Sequence, residues 1–336
     1  MKAAVFTGVG RPLSIEKVPD PTPQPNEVII RIGRCGICGT DLHMTDGHGM
    51  TYPVGTIPGH EFAGEIVALG SATKNVKIGD LVAAQPMTGC GECLACLAGE
   101  PKHCPKMLGI GSAFAEYTRA GWRECVKLPA GLSLADGALI EPLAVGLHAV
   151  VMSGLQPGAR VLVIGAGPIG LATAFWARRL GAARVAVSAR SVRQESRAHA
   201  MGATHFVTAA HDLPGAVAGA LGSAPEVVFE CVGQPGLIDL ALNCVVRKGT
   251  VVVLGFCTVA DHLGPSDFLF KELKLIYSNV YSTREFEIVA ETLDSGAAEA
   301  RSMITDTVSF KGLPALFESL RSSRTQCKVM LDPQGA

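Results

Sequence analysis

Two rhythms of apolar and polar positions divide this chain. Over residues 1 to about 150, apolar residues come in short runs, Glu27–Ile32, Phe62–Leu69 and Asp80–Ala84, separated by Gly, Pro and Asn. Runs of that length bounded by turn residues predict strands, so the first domain reads as β-rich. Asp20–Asn26, with proline at alternate positions, can be neither regular helix nor central strand and is expected to be an extended connector. From about Gly158 the pattern changes. Apolar runs at Arg160–Ile164, Arg184–Val187, His205–Val207, Glu226–Phe229, Thr250–Leu254 and Leu273–Tyr277 alternate with helical stretches, the signature of βαβ units and a doubly wound parallel sheet. A helical stretch at Arg284–Ser295 then leads to a last strand, Cys327–Leu331, whose chemistry resembles the first domain. The expected division is 1–150, then 151–283, then a return over 284–336.

The length of 336 residues suits two domains, and 48% hydrophobic content with 39 glycines fits a compact α/β protein rich in tight turns. A net charge of -1 leaves no basic field to hold nucleic acid and no polybasic run to reach a membrane, so small metabolites are the expected partners. The N-terminus runs straight into a strand-like pattern without an apolar signal region, which predicts a cytoplasmic protein. No uninterrupted apolar run approaches the roughly 20 residues that span a bilayer. Eleven cysteines are an odd number in a long chain, which argues for metal binding over a disulfide framework.

Chemistry concentrates in Cys38-Gly39-Thr40-Asp41-Leu42-His43, followed by Gly59-His60-Glu61. Thiolate and imidazole are ligands that zinc prefers, and a catalytic zinc keeps three protein ligands and one open position. The third ligand must come from further away, and Glu141 in Glu141-Pro142-Leu143 is the candidate. A separate run, Cys90, Cys93, Cys96 and Cys104, places four thiolates within reach of one tetrahedral site. A full set of cysteines leaves no position for water, so a structural zinc ordering this lobe is expected; an iron-sulfur cluster also takes four thiolates.

Val161–Gly170 is a short apolar strand followed by G-x-G-x-x-G and a helical pattern through Leu180. In that context Gly165 permits the tight turn, Gly167 lets backbone approach a pyrophosphate, and Gly170 lets helix pack on strand, with Pro168 and Ile169 between them at the helix start. The position that would carry an acid for the ribose 2'-hydroxyl is Ala189. Ser188, Arg190 and Arg193 surround it instead, and arginine pairs bidentately with a 2'-phosphate, so NADP is expected over NAD. Leu254, Gly255 and Asn279 are assigned to the cofactor side as well.

These motifs, with the terminal Lys328-Val329-Met330-Leu331, stand in the order found in the zinc-containing medium-chain dehydrogenase/reductase family. Across essentially its whole length the chain resembles an alcohol dehydrogenase of the sorbitol and threonine dehydrogenase branch. The resemblance implies a GroES-like catalytic domain interrupted by a Rossmann domain, two zinc ions per chain, and a homodimer or homotetramer. It implies Cys38 and His60 as catalytic zinc ligands, Glu61 as an adjacent carboxylate that exchanges with water, and Glu141 as a ligand directly or through water. Asp41 would orient His60, while Thr40 and His43 would relay the alcohol proton. The expected reaction is hydride transfer between NAD(P), with NADP preferred, and a secondary alcohol/ketone or related alcohol/aldehyde pair, with both reactants in an interdomain cleft. An NAD-dependent polyol or amino-alcohol dehydrogenase is the alternative. Outside that class stand a zinc hydrolase and a non-catalytic NADP-binding protein. Where sorbitol dehydrogenases place a tyrosine and an arginine on polyol hydroxyls, this chain has Met44 and Tyr281. Met44, Tyr52 and Phe114 are expected to form an apolar pocket wall.

Overall fold

The β-rich reading of the N-terminal stretch holds in the computed structural model, which describes residues 1–208, 211–322 and 325–335, the side chain of Asp267 excepted. Glu27–Gly36 is the centre of a seven-stranded sheet and pairs antiparallel with Glu61–Leu69, Tyr117–Gly121 and the last strand, Lys328–Leu331. Its pairing with Glu61–Leu69 slips between Ile29 and Ile30 and again between Ile32 and Arg34. Such bulges bend and twist a strand. Val28, Ile30 and Ile32 are fully buried and meet Phe62, Ile66, Phe114, Phe317 and Val329 in one core. The C-terminal strand thus returns to the first sheet, as its sequence character predicts, and Ile304–Val308 pairs parallel beside it.

The helix Leu134–Ser153, with Pro142 in its interior, was not legible from the sequence, because an internal proline normally argues against helix. Its start is well fixed. The Ser133 hydroxyl accepts from Asp136 N at 3.2 Å, the Asp136 carboxylate accepts from Ser133 N at 2.9 Å, and Arg301 Nε donates to that carboxylate at 2.7 Å. By length and composition this helix is apolar enough to cross a bilayer, but 78% of its apolar window is buried within the fold, as in a core helix. Glu141 lies near its middle.

The chain packs as two compact units, Met1–Glu141 with Tyr281–Ala336, and Pro142–Val280. The second holds a six-stranded, all-parallel sheet in the order His205–Thr208, Arg184–Ala189, Arg160–Ile164, Val227–Glu230, Thr250–Val253, Lys274–Tyr277. Helices cover strands such as Val161–Val163 and Val227–Phe229 so fully that their runs are apolar on both faces. Strand order reverses between Arg160–Ile164 and Val227–Glu230, the switch point at which open parallel sheets bind ligands.

Candidate active site

Cys38 caps the short helix Gly39–His43, and the Asp41 carboxylate closes a capping box by accepting from Cys38 N at 3.1 Å. Asp41 is wholly buried. Its second oxygen accepts from Gly59 N and Tyr52 Oη, each at 3.3 Å, and faces His60 Nδ1 at 3.4 Å. Burial works against the Asp41 charge, but the imidazole and the backbone donors outweigh it and hold the carboxyl below its usual range. For His60 burial disfavours the cation, yet the charges of Asp41 and Cys38 hold its pKa well above the ordinary histidine value. These two negatively charged neighbours favour positive charge at this position.

Ligand atoms of Cys38, His60 and Glu61 all lie within 4.8 Å of one another. Tetrahedral zinc, with Zn–S of about 2.3 Å and Zn–N or Zn–O of about 2.0–2.2 Å, needs such ligand atoms roughly 3.3–3.6 Å apart, so the triad fits zinc after modest adjustment. Glu61 is 0% exposed and both its oxygens accept from Lys328 Nζ at 2.6 Å, while the same amine donates to Ile37 O at 3.0 Å. Glu141 stands beside this group but outside the three-ligand cluster. Burial, reinforced by Glu61 and opposed by His60 and Lys328, raises its carboxyl to about 7. The wholly buried Tyr281 hydroxyl faces Glu141 without closing a hydrogen bond of standard geometry. Before it, Val280 has φ of 59°, a left-handed backbone that a β-branched residue adopts only under imposed strain.

Thr40 and His43 share one turn of the short helix. The two side chains make no hydrogen bond to each other, and His43 Nδ1 faces Asp46 at 3.7 Å with its ring 44% exposed. Arg321, on the helix Leu313–Ser322, steadies this turn by donating to Leu42 O at 2.8 Å and Thr45 Oγ1 at 2.7 Å. Of the residues expected to form the apolar wall, Met44, Tyr52 and Phe114, Tyr52 gives its hydroxyl to Asp41 and Phe114 is fully buried edge-on to Phe317.

In the cysteine lobe the four sulfurs of Cys90, Cys93, Cys96 and Cys104 lie within 4.8 Å of one another, with Cys90 and Cys96 at 4.0 Å. Cys90 N and Lys106 N each donate to Cys104 Sγ at 3.3 Å. Backbone N–H groups of Glu92 and Cys93 lower the Cys90 thiol to about 6, and burial pushes Cys96 up to about 12. All eleven cysteines are free thiols, so the lobe has no disulfide to hold it. Four converging sulfurs with N–H support fit a closed tetrahedral metal site.

The strand Arg160–Ile164 runs into Gly165, at φ of 106°, and then into the helix Pro168–Arg179. A Cβ on Gly170 would stand 1.8 Å from Gly165 O, while one on Gly167 would meet nothing within 4 Å. The first glycine is forced by close packing and the second leaves backbone open at a helix N-terminus, as a pyrophosphate requires. Gly165 N donates to Ser188 O at 2.8 Å, so the loop is tied to the neighbouring strand; Ser188 itself is buried, and Arg190 and Arg193 follow it exposed. Leu254 and Gly255 come just past Thr250–Val253, whereas Asn279 follows the edge strand, two places further from the switch point than Val227–Glu230.

Residues 24–130 match the alcohol dehydrogenase GroES-like domain family, and residues 168–295 match the zinc-binding dehydrogenase family. Sorbitol dehydrogenase of Bacillus subtilis (strain 168) is 32% identical over 99% of this chain and 97% of its own. The 2-dehydro-3-deoxy-L-galactonate 5-dehydrogenase of Pseudoalteromonas atlantica is 31% identical over 92% of each. Among solved structures, 2R,3R-butanediol dehydrogenase from Bacillus subtilis superposes with a TM-score of 0.88 at 29% identity, covering 99% of both chains. A Sinorhizobium meliloti 1021 protein named as a zinc-binding dehydrogenase, bound to NADP, superposes with a TM-score of 0.89 at 32% identity, again over 99% of both. The chain belongs to the zinc-containing medium-chain dehydrogenase/reductase family, on its sorbitol dehydrogenase-like branch. It is an oxidoreductase that uses zinc and a nicotinamide dinucleotide.

Arg321, which steadies the Leu42–Thr45 turn, escaped sequence reasoning altogether. Tyr52, Tyr281 and Lys328 stood out in the sequence as a pocket-wall residue, a substrate-side position and part of the terminal motif, but their contacts with Asp41, Glu141 and Glu61 were not foreseen.

Proposed function

We propose that the chain transfers a hydride between NADP, in preference to NAD, and a small secondary alcohol/ketone or related alcohol/aldehyde pair. Cys38, His60 and Glu61 would hold the catalytic zinc with Glu141 facing them, and the four-cysteine lobe would hold a second, structural zinc. The observation that carries this reading is the convergence of Cys38, His60 and Glu61 on one point, backed by buried Asp41 and Lys328. Zinc supplies a Lewis acid that lowers the pKa of an alcohol, and the nicotinamide supplies the hydride acceptor.

The chain's own residues do the rest. Asp41 fixes the His60 ring, Lys328 fixes Glu61, and Thr40 with His43 carries the alcohol proton outward, His43 being the exposed end of that path. Gly165, Gly167 and Gly170 with the helix start bind the pyrophosphate, and Arg190 with Arg193 pairs with the 2'-phosphate. NADP carries that phosphate and NAD does not. kcat/KM for NADPH is expected to exceed that for NADH at least tenfold, and Arg190→Ala to remove most of the difference, a change of about 1.4 kcal/mol. A tenfold preference for NADH in the unaltered protein would contradict the assignment.

The sorbitol and galactonate dehydrogenases among the relatives favour a second reading, an NAD-dependent polyol dehydrogenase. A panel of secondary alcohols, polyols, amino alcohols and cyclic ketones separates the two. Met44 and the engaged Tyr52 hydroxyl support simple alcohols over polyols.

A further inference from the structure

The carboxylate of Glu230 ends the strand Val227–Glu230 at the switch point and is 1% exposed, yet among the described residues it makes no ion pair. One of its oxygens accepts from Val232 N at 2.7 Å and from Gly233 N at 3.0 Å. Its backbone carbonyl accepts from Leu254 N at 2.8 Å and Gly255 N at 3.0 Å. One residue therefore fixes the exit of its own strand and the exit of the next. The two loops also interlock sterically. A Cβ on Gly255 would lie 2.1 Å from Gly233 N and 2.3 Å from Glu230 Oε2, and one on Gly233 would lie 2.6 Å from Phe256 N.

A buried carboxylate costs free energy unless its lone pairs are satisfied, so a cheaper apolar residue would serve if only packing were required. A carboxylate accepting two successive N–H groups instead dictates the direction of the chain behind the strand. Those loops border the crevice at the carboxyl ends of the strands, beside Gly165, whose own Cβ position is 2.7 Å from Val232 Cγ2.

We propose that Glu230 is a positioning residue for the dinucleotide, clipping Cys231–Gly233 to Leu254–Phe256 so that both loops present a preformed wall to the cofactor. The proposal rests on the cofactor reading above. It concerns reach more than charge: Glu230→Asp keeps the carboxylate but withdraws it by one methylene from Val232 and Gly233, whereas Glu230→Gln keeps an acceptor in place.

NADPH fluorescence titration of the zinc-loaded protein tests this. For Glu230→Asp the Kd of NADPH is expected to rise about fivefold or more, and for Glu230→Gln to stay within about twofold, while kcat at saturating NADPH falls by less than the affinity does. A Kd for Glu230→Asp equal to that of the unaltered protein would overturn the proposal. Hydrogen exchange in the unaltered protein gives an independent reading should the aspartate variant fail to fold. NADPH is expected to slow exchange at Val232, Gly233, Leu254 and Gly255, and unchanged rates at all four would overturn it equally. Failure of the unaltered protein to bind NADPH or NADH would remove the cofactor reading and this proposal with it.

Discussion

Replacing Cys38 by serine is expected to lower kcat/KM by about a thousandfold or more, equivalent to roughly 4 kcal/mol of transition-state stabilisation, while NADPH binds as before. The asymmetry follows from where the groups stand. Cys38 is one corner of the triad with His60 and Glu61, and a serine hydroxyl is a harder and far weaker ligand for zinc than thiolate. The serine would still cap the helix Gly39–His43, so the backbone and the Asp41 network should survive. The glycine loop lies in the other compact unit and makes its contacts with Ser188 and the switch-point strands. Steady-state kinetics beside NADPH titration measures both halves of the prediction, and full activity in the variant would refute the role of Cys38.

The second large effect concerns Lys328. Its ammonium and the Glu61 carboxylate are both within 1% of complete burial, so in metal-free protein removing one partner takes from the other its hydrogen-bonded counterion. Burial alone would lower the lysine pKa, but the negative charges of Glu61 and Cys38 outweigh it and hold the amine charged. Lys328→Met should cost about 3–5 kcal/mol of stability, the usual penalty for breaking a buried pair from one side. The double variant Lys328→Met with Glu61→Gln should recover a good part of that loss, because a neutral amide tolerates burial better than a lone carboxylate. Urea denaturation of the three proteins decides the matter. A single variant within 1 kcal/mol of the parent would show that Glu61 does not depend on Lys328 (a threshold of about one ordinary surface ion pair).

Much of this molecule can be read in its order of residues, for identifiable physical reasons. Parallel strands buried on both faces leave continuous apolar runs, which is why Arg160–Ile164 and Glu226–Phe229 stood out at once. Ligand clusters close in sequence, such as Cys90 to Cys104, advertise themselves by spacing. The glycine loop does so by the absence of side chains where a Gly170 Cβ would strike Gly165 O. What stayed hidden depends on the tertiary fold. Lys328 meets Glu61 across 267 residues, and Arg321 meets Leu42 across 279, so no local pattern could announce either. Pro142 concealed a helix whose Ser133–Asp136 cap and buried face override the local penalty. Glu230 followed an apolar run without any signal that its carboxylate holds Val232 and Gly233 while its backbone carbonyl holds Leu254 and Gly255.

The most direct test is reconstitution. Protein stripped of metal by a chelator, verified by elemental analysis, is titrated with zinc while NADPH oxidation is followed with a panel of ketones and aldehydes. The account predicts no turnover in the stripped protein, recovery with zinc, and no recovery in Cys38→Ser under the same titration. Undiminished NADPH oxidation by the metal-free protein would contradict it.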